Sequence, residues 1–175
     1  MDKSVESSLQ IICRELINDL NTKYGKISGM CYLTGFVLER AFTSLGYDSK
    51  EITGVLQLKD INGKWFIYGP DKYQKIGKLV GYYHTWCTVI IDEVDYIVDP
   101  SPITMKLFLK KMNIKLSKYL PDYVISPMNK GVSFIYEVDE TLKSQPQLFL
   151  DRIPEADKEE FISNTIYRIK SQFKL

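Results

Sequence analysis

The stretch HTWCTVIIDEVDYIVDPS, residues 84–101, decides the fold. It holds two apolar, β-rich runs, His84–Ile91 and Val94–Asp99, hinged at Asp92-Glu93. If the hairpin closes through a two- or four-residue loop there, residues whose numbers add to 185 pair. Trp86 then lies opposite Asp99, and His84 opposite Ser101. Side chains alternate between faces along a strand, so His84, Trp86 and Asp99 project to one side and Cys87 to the other. His84 and Asp99 become diagonal neighbours, about 7–8 Å apart in backbone and within side-chain reach. A three-residue loop would break that parity.

Upstream, Glu51–Leu58 and Lys64–Tyr68 read as strands joined by a turn at Asp60–Gly63, and Gly69 to Gly81 reads as a loop. Before them a helix is expected from about Cys31 to Leu45, with Leu33, Val37, Leu38, Ala41 and Phe42 inward and Gly46 as its cap. Residues 4–20 repeat the helical spacing. Downstream, Ser101-Pro102 marks the N-cap of a helix over about 102–112, Gly131–Val138 a further strand and Glu155–Phe173 a last amphipathic helix. No repeat or linker divides the chain. The expectation is one α+β domain over 1–175, with a core at about 24–101 and a C-terminal elaboration at about 102–175.

Composition narrows the function. Lys+Arg 23 against Asp+Glu 22 leaves a net charge of +1, which argues against broad nucleic-acid binding. The lysines at 106, 110, 111, 115 and 118 read as a solvated helix face, and those at 64, 72, 75 and 78 as a surface loop or lid. There is no apolar run for a membrane span or secretory signal, so a reducing cytoplasm is the expected compartment. Three cysteines make a disulfide framework unexpected. The single histidine, His84, rules out a multi-histidine metal site, and no Walker, Rossmann or CxxC pattern occurs, so no cofactor is expected.

Cys31 follows Gly29-Met30 and opens a helix, where the dipole and unpaired amides favour a thiolate nucleophile; a buried small hydrophobe is the alternative. Cys13 fits an apolar helical stripe, and Cys87 points away from His84, so both read as structural. With His84 and Asp99, Cys31 suggests a Cys–His–Asp triad. Tyr24 is a candidate oxyanion donor, the Cys31 backbone N–H another, and Tyr82, Tyr83 and Trp86 candidate pocket walls.

Gly29-Met30-Cys31 opening a helix, Gly46-Tyr47, Gly54, H-T-W at 84–86 and Y-I-V-D-P-S at 96–101 together resemble the transglutaminase-like superfamily of papain-like cysteine enzymes. That superfamily includes arylamine N-acetyltransferases and lasso-peptide leader proteases. The resemblance implies a cysteine-bearing helix packed on an antiparallel sheet, with Cys31 as nucleophile, His84 as base and Asp99 as orienting acid. It covers residues 29–101, and Thr85 departs from the alanine common at that place. The expected activity is cleavage of an amide or peptide bond through an acyl-enzyme, on a peptide, protein or small amide or thioester. Transfer to an amine, or a non-catalytic binding module on the same fold, are the alternatives. Substrate and oligomeric state are not legible.

Overall fold

A computed structural model of the chain describes residues 3–25, 29–127 and 134–175, with side chains from residue 5 onward. Its elements are α1 (Lys3–Tyr24), α2 (Cys31–Ser44), β1 (Ser49–Lys59), β2 (Trp65–Tyr68), β3 (Lys78–Gly81), β4 (His84–Ile91), β5 (Val94–Asp99), α3 (Pro102–Lys111), β6 (Val124–Pro127), β7 (Ile135–Val138), α4 (Gln147–Leu150) and α5 (Glu155–Phe173). Among the described residues no helix is long and apolar enough to cross a membrane.

The β4–β5 hairpin closes as expected. Ile91 pairs with Val94, leaving Asp92 and Glu93 as a two-residue loop, and both take positive φ, 49° and 63°, as the right-handed twist of a tight hairpin requires. Cys87 faces Val98 and Thr88 faces Ile97, which fixes the anticipated parity. The α2 cap also holds: the Gly46 and Tyr47 amides return to the Thr43 and Phe42 carbonyls.

The strands form one sheet in the order β3-β2-β1-β4-β5-β6. The sheet is mixed rather than antiparallel, because β3 runs parallel to β2. The segment expected as a loop, Gly69 to Gly81, instead holds a 3-10 turn at Asp71–Lys75 and strand β3. Of the strand expected at Gly131–Val138, Ile135–Val138 is β7, while residues 131–133 lie outside the described residues. β6 and α4 had no clear sequence signal.

Each sheet face has its own core. One packs Cys87, Val89 and Val98 against α1, α2 and α5, burying Leu9, Leu16, Phe42 and Phe161. The other gathers Leu56, Leu58, Trp86 and Ile97 under α3 through Met105 and Leu109. His84, Trp86 and Asp99 point toward this second face. α2 lies on the first, with its N-terminus beside the end of the sheet where β4 begins.

Strand β1 changes partner at that place. Ser49–Gly54 pair with β4, Gly54–Gln57 pair with β7, and Gly54 itself faces both His84 and Val138. A Cβ on Gly54 would come within 2.0 Å of the Glu137 carbonyl oxygen, so a side chain there is sterically impossible without displacing β7. The sheet therefore opens at His84. Tyr136, opposite Leu56, projects to the same face as the histidine.

Candidate active site

Asp99 is fully buried at the end of β5, and its two oxygens accept four hydrogen bonds. Oδ1 accepts the Ser101 backbone N–H at 2.9 Å and the Ser101 hydroxyl at 2.6 Å. Oδ2 accepts His84 Nε2–H at 2.8 Å and the Tyr136 hydroxyl at 2.6 Å. Burial alone would raise the Asp99 pKa. The His84 charge, its hydrogen bond, and those of Ser101 and Tyr136 outweigh burial and hold the carboxyl below its usual range.

The same pairing acts on His84, which is also fully buried. Burial disfavours the imidazolium, but the charge and hydrogen bond of Asp99, followed by Cys31, reverse that effect and raise the His84 pKa. With Nε2 committed to Asp99, Nδ1 is the nitrogen left to face Cys31. Nδ1 is buried and has no hydrogen-bond partner among the described residues. Trp86 stacks on the imidazole, ring centroids 6.0 Å apart and planes within 21°, and Tyr136 closes edge-on against Trp86 at 5.0 Å. This aromatic shell keeps water from the ion pair, so its Coulomb attraction is less screened than at a surface.

Cys31 is the first residue of α2, and its N-cap, Met30, supplies no side-chain hydrogen bond to the helix start. Amides at the first helical positions have no partner within the helix, and among the described residues the Cys31 N–H donates to no carbonyl. Cys13 and Cys87 are each wholly buried, and burial, the first cause in both, pushes their thiols well above the ordinary range. Of the three cysteines, Cys31 is the one that lines the cavity shared with His84.

That cavity measures about 260 Å³ and is lined by both Cys31 and His84. Tyr32, Tyr68, Tyr83 and Phe149 line it together with Thr104, Met105 and Phe108 of α3. Among the described residues no Asp, Glu, Lys or Arg lines it. The structure thus brings Cys31, His84 and Tyr83 to one cavity with Asp99 directly behind the histidine. Trp86 lies behind the imidazole and is not part of the wall. Tyr24 departs from expectation: its hydroxyl donates to Asp157 of α5 at 2.5 Å, its ring packs on Phe161, and it does not line the cavity. A tyrosine at the end of α1 is captured by the nearest carboxylate of the helix packed on it.

Two contributors were missed by sequence reasoning. Ser101 was expected to cap α3, but its side chain makes no cap and serves Asp99 instead. The Asp-Pro-Ser spacing signals this, since an aspartate readily bonds the amide two residues on. Tyr136 had no local signal, because its position depends on β7 joining β1 about eighty residues away in sequence. Among the described residues no three His, Cys, Asp or Glu side chains converge as a metal site.

No family model and no curated protein matches the chain. Among solved structures, the crystal structure of a genomics target superposes with a TM-score of 0.60 at 10% sequence identity, covering 92% of this chain and 78% of that one. At that identity the likeness concerns the fold alone.

Proposed function

We propose that this chain is a cysteine-nucleophile enzyme of papain-like, transglutaminase-like arrangement that cleaves an amide or peptide bond. The observation that carries this reading is the buried His84–Asp99 pair, with Cys31 at a helix start on the same cavity. The Cys31 proton is held on His84 Nδ1 before attack, and that imidazolium is balanced by Asp99. The thiolate sulfur bonds to the substrate carbonyl carbon, and the Cys31 N–H stabilises the oxyanion. The C–N bond then breaks as the imidazolium protonates the departing amine, leaving a thioester on Cys31. Water, deprotonated by His84, attacks that thioester, and the carboxylic acid departs as the thiol is restored. The aromatic and apolar side chains that line the cavity around Cys31 and His84 suit a neutral, apolar group on the acyl side.

The test is iodoacetamide labelling across pH, resolved cysteine by cysteine by mass spectrometry, on wild type and His84→Ala. Cys31 should react selectively near neutrality and lose that reactivity without His84, while Cys13 and Cys87 stay unlabelled in the native chain. A Cys31 that is inert, or indifferent to His84, would leave a binding module as the better account.

A further inference from the structure

Helix α3 presents a second surface beside the cavity. Residues 102–121 carry five lysines and no acidic residue, although the whole chain is nearly neutral. Lys106, Lys110, Lys115 and Lys118 rim a groove of about 490 Å³ whose floor includes Leu109 and Leu116. Lys106 is paired with Asp122; among the described residues Lys110, Lys115 and Lys118 form no ion pair. Tyr119, also lining the groove, is 79% exposed. Exposed lysines around an apolar floor offer a partner both charge and apolar contact.

We propose that this groove docks an acidic, amphipathic stretch of the polypeptide whose bond enters the cavity at Cys31. Carboxylates match the lysine rim, and alternate apolar side chains match the floor. None of the four arginines, at 14, 40, 152 and 168, lies in the groove, so the forked donors that favour phosphate are missing from it. The two sites adjoin through α3: Thr104, Met105 and Phe108 line the cavity, while Lys106, Leu109 and Lys110 line the groove. A ten-residue helix is roughly 15 Å long, so about five extended residues of one peptide span both sites. Among the described residues the cavity wall carries no Asp, Glu, Lys or Arg, whereas the groove offers lysines to acidic residues outside it. The link to cleavage rests on the hydrolase reading above, whereas the docking does not.

Fluorescence anisotropy on the full chain, with Cys31→Ala in parallel so that cleavage plays no part, tests the docking. The probes are a short labelled peptide alternating Glu with Leu, the same peptide with Lys for Glu, oligo-thymidylate, and phosphatidylserine vesicles. The acidic peptide should bind, the basic one should not, and added salt should weaken the binding. The exposed triple substitution Lys110→Gln, Lys115→Gln and Lys118→Gln should weaken it about tenfold, with no change in circular dichroism. Lys143→Gln with Lys170→Gln should leave it unchanged. Equal binding of both peptides, or no effect of the triple substitution, overturns the proposal. So does tighter binding of oligo-thymidylate or vesicles that the same lysines govern. Peptide binding with an inert Cys31 overturns the hydrolase reading and leaves the docking surface standing; a reactive Cys31 without peptide binding does the reverse.

Discussion

Asp99 shows why a buried ion pair needs more than its partner. Taking a carboxylate out of water costs several kcal/mol, and one imidazolium bond does not restore its full hydration. The Ser101 amide and hydroxyl and the Tyr136 hydroxyl supply the remaining donors, so the charge stays on the carboxylate. These contacts should be unequal in worth. Asp99→Ala strands the imidazole without its counter-charge and should destabilise the chain by about 3–5 kcal/mol. Tyr136→Phe leaves three donors in place and should cost about 1–2 kcal/mol. It should also shift the pH profile of Cys31 alkylation, because the carboxylate then holds the imidazolium differently. Urea unfolding and the labelling profile read both effects. A Tyr136→Phe variant that costs more than Asp99→Ala, or leaves the profile in place, would refute this ranking.

The elements bring these side chains together through one irregularity, the change of partner along β1. Gly54 passes between β4 and β7, and no larger residue fits beside the Glu137 carbonyl. Gly54→Ala replaces none of Cys31, His84 and Asp99, yet it should push β7 outward and carry Tyr136 from Asp99. The expected result is a loss of about 3 kcal/mol or more in stability together with slowed Cys31 alkylation. A variant as stable and reactive as wild type would show that β7 is dispensable to the site. The same irregularity explains what the sequence left hidden. The β4–β5 hairpin is a local structure, so its register, and with it the shared face of His84 and Asp99, follows from counting residues across Asp92-Glu93. The α2 and α5 boundaries follow from apolar spacing and, for α2, Gly46. By contrast, β3 is four residues long and pairs parallel to β2, without the tight turn that announces a hairpin. β7 is equally short and finds its partner across the chain.

For the whole molecule, charge placement sets how stability depends on pH, and three groups govern the expected curve. Asp99 is held below its unfolded value of about 3.9, so its contribution is complete above that pH and is lost as pH falls through the folded value. His84 is raised above its unfolded value of about 6.5, so its contribution is complete below 6.5 and is lost as pH rises toward the folded value. Neither sign was visible in the sequence, which located the pair but not the burial and extra donors that set its charge state. Glu51 adds a term that was not anticipated at all. Burial between α2 and the sheet, then the Glu39 charge, raise it to about 7 against the weaker opposition of Arg40, and among the described residues its Oε1 has no hydrogen-bond partner. Its sign is that of His84: no cost below about 4.5, and a growing cost as pH rises through 7. Stability should therefore peak near pH 5 and decline through neutrality into the alkaline range. Glu51→Gln should leave the acid side unchanged and raise stability by ~2 kcal/mol at pH 8, since a neutral amide avoids ionisation in that place. The slope above pH 7 should persist in Glu51→Gln, because it belongs to His84. Denaturant unfolding at intervals from pH 4 to 9 on both proteins separates the two contributions. A flat wild-type curve from pH 5 to 9 would mean that the His84–Asp99 pair is not held ionised, and the charge balance proposed for the acyl-enzyme step would fall with it.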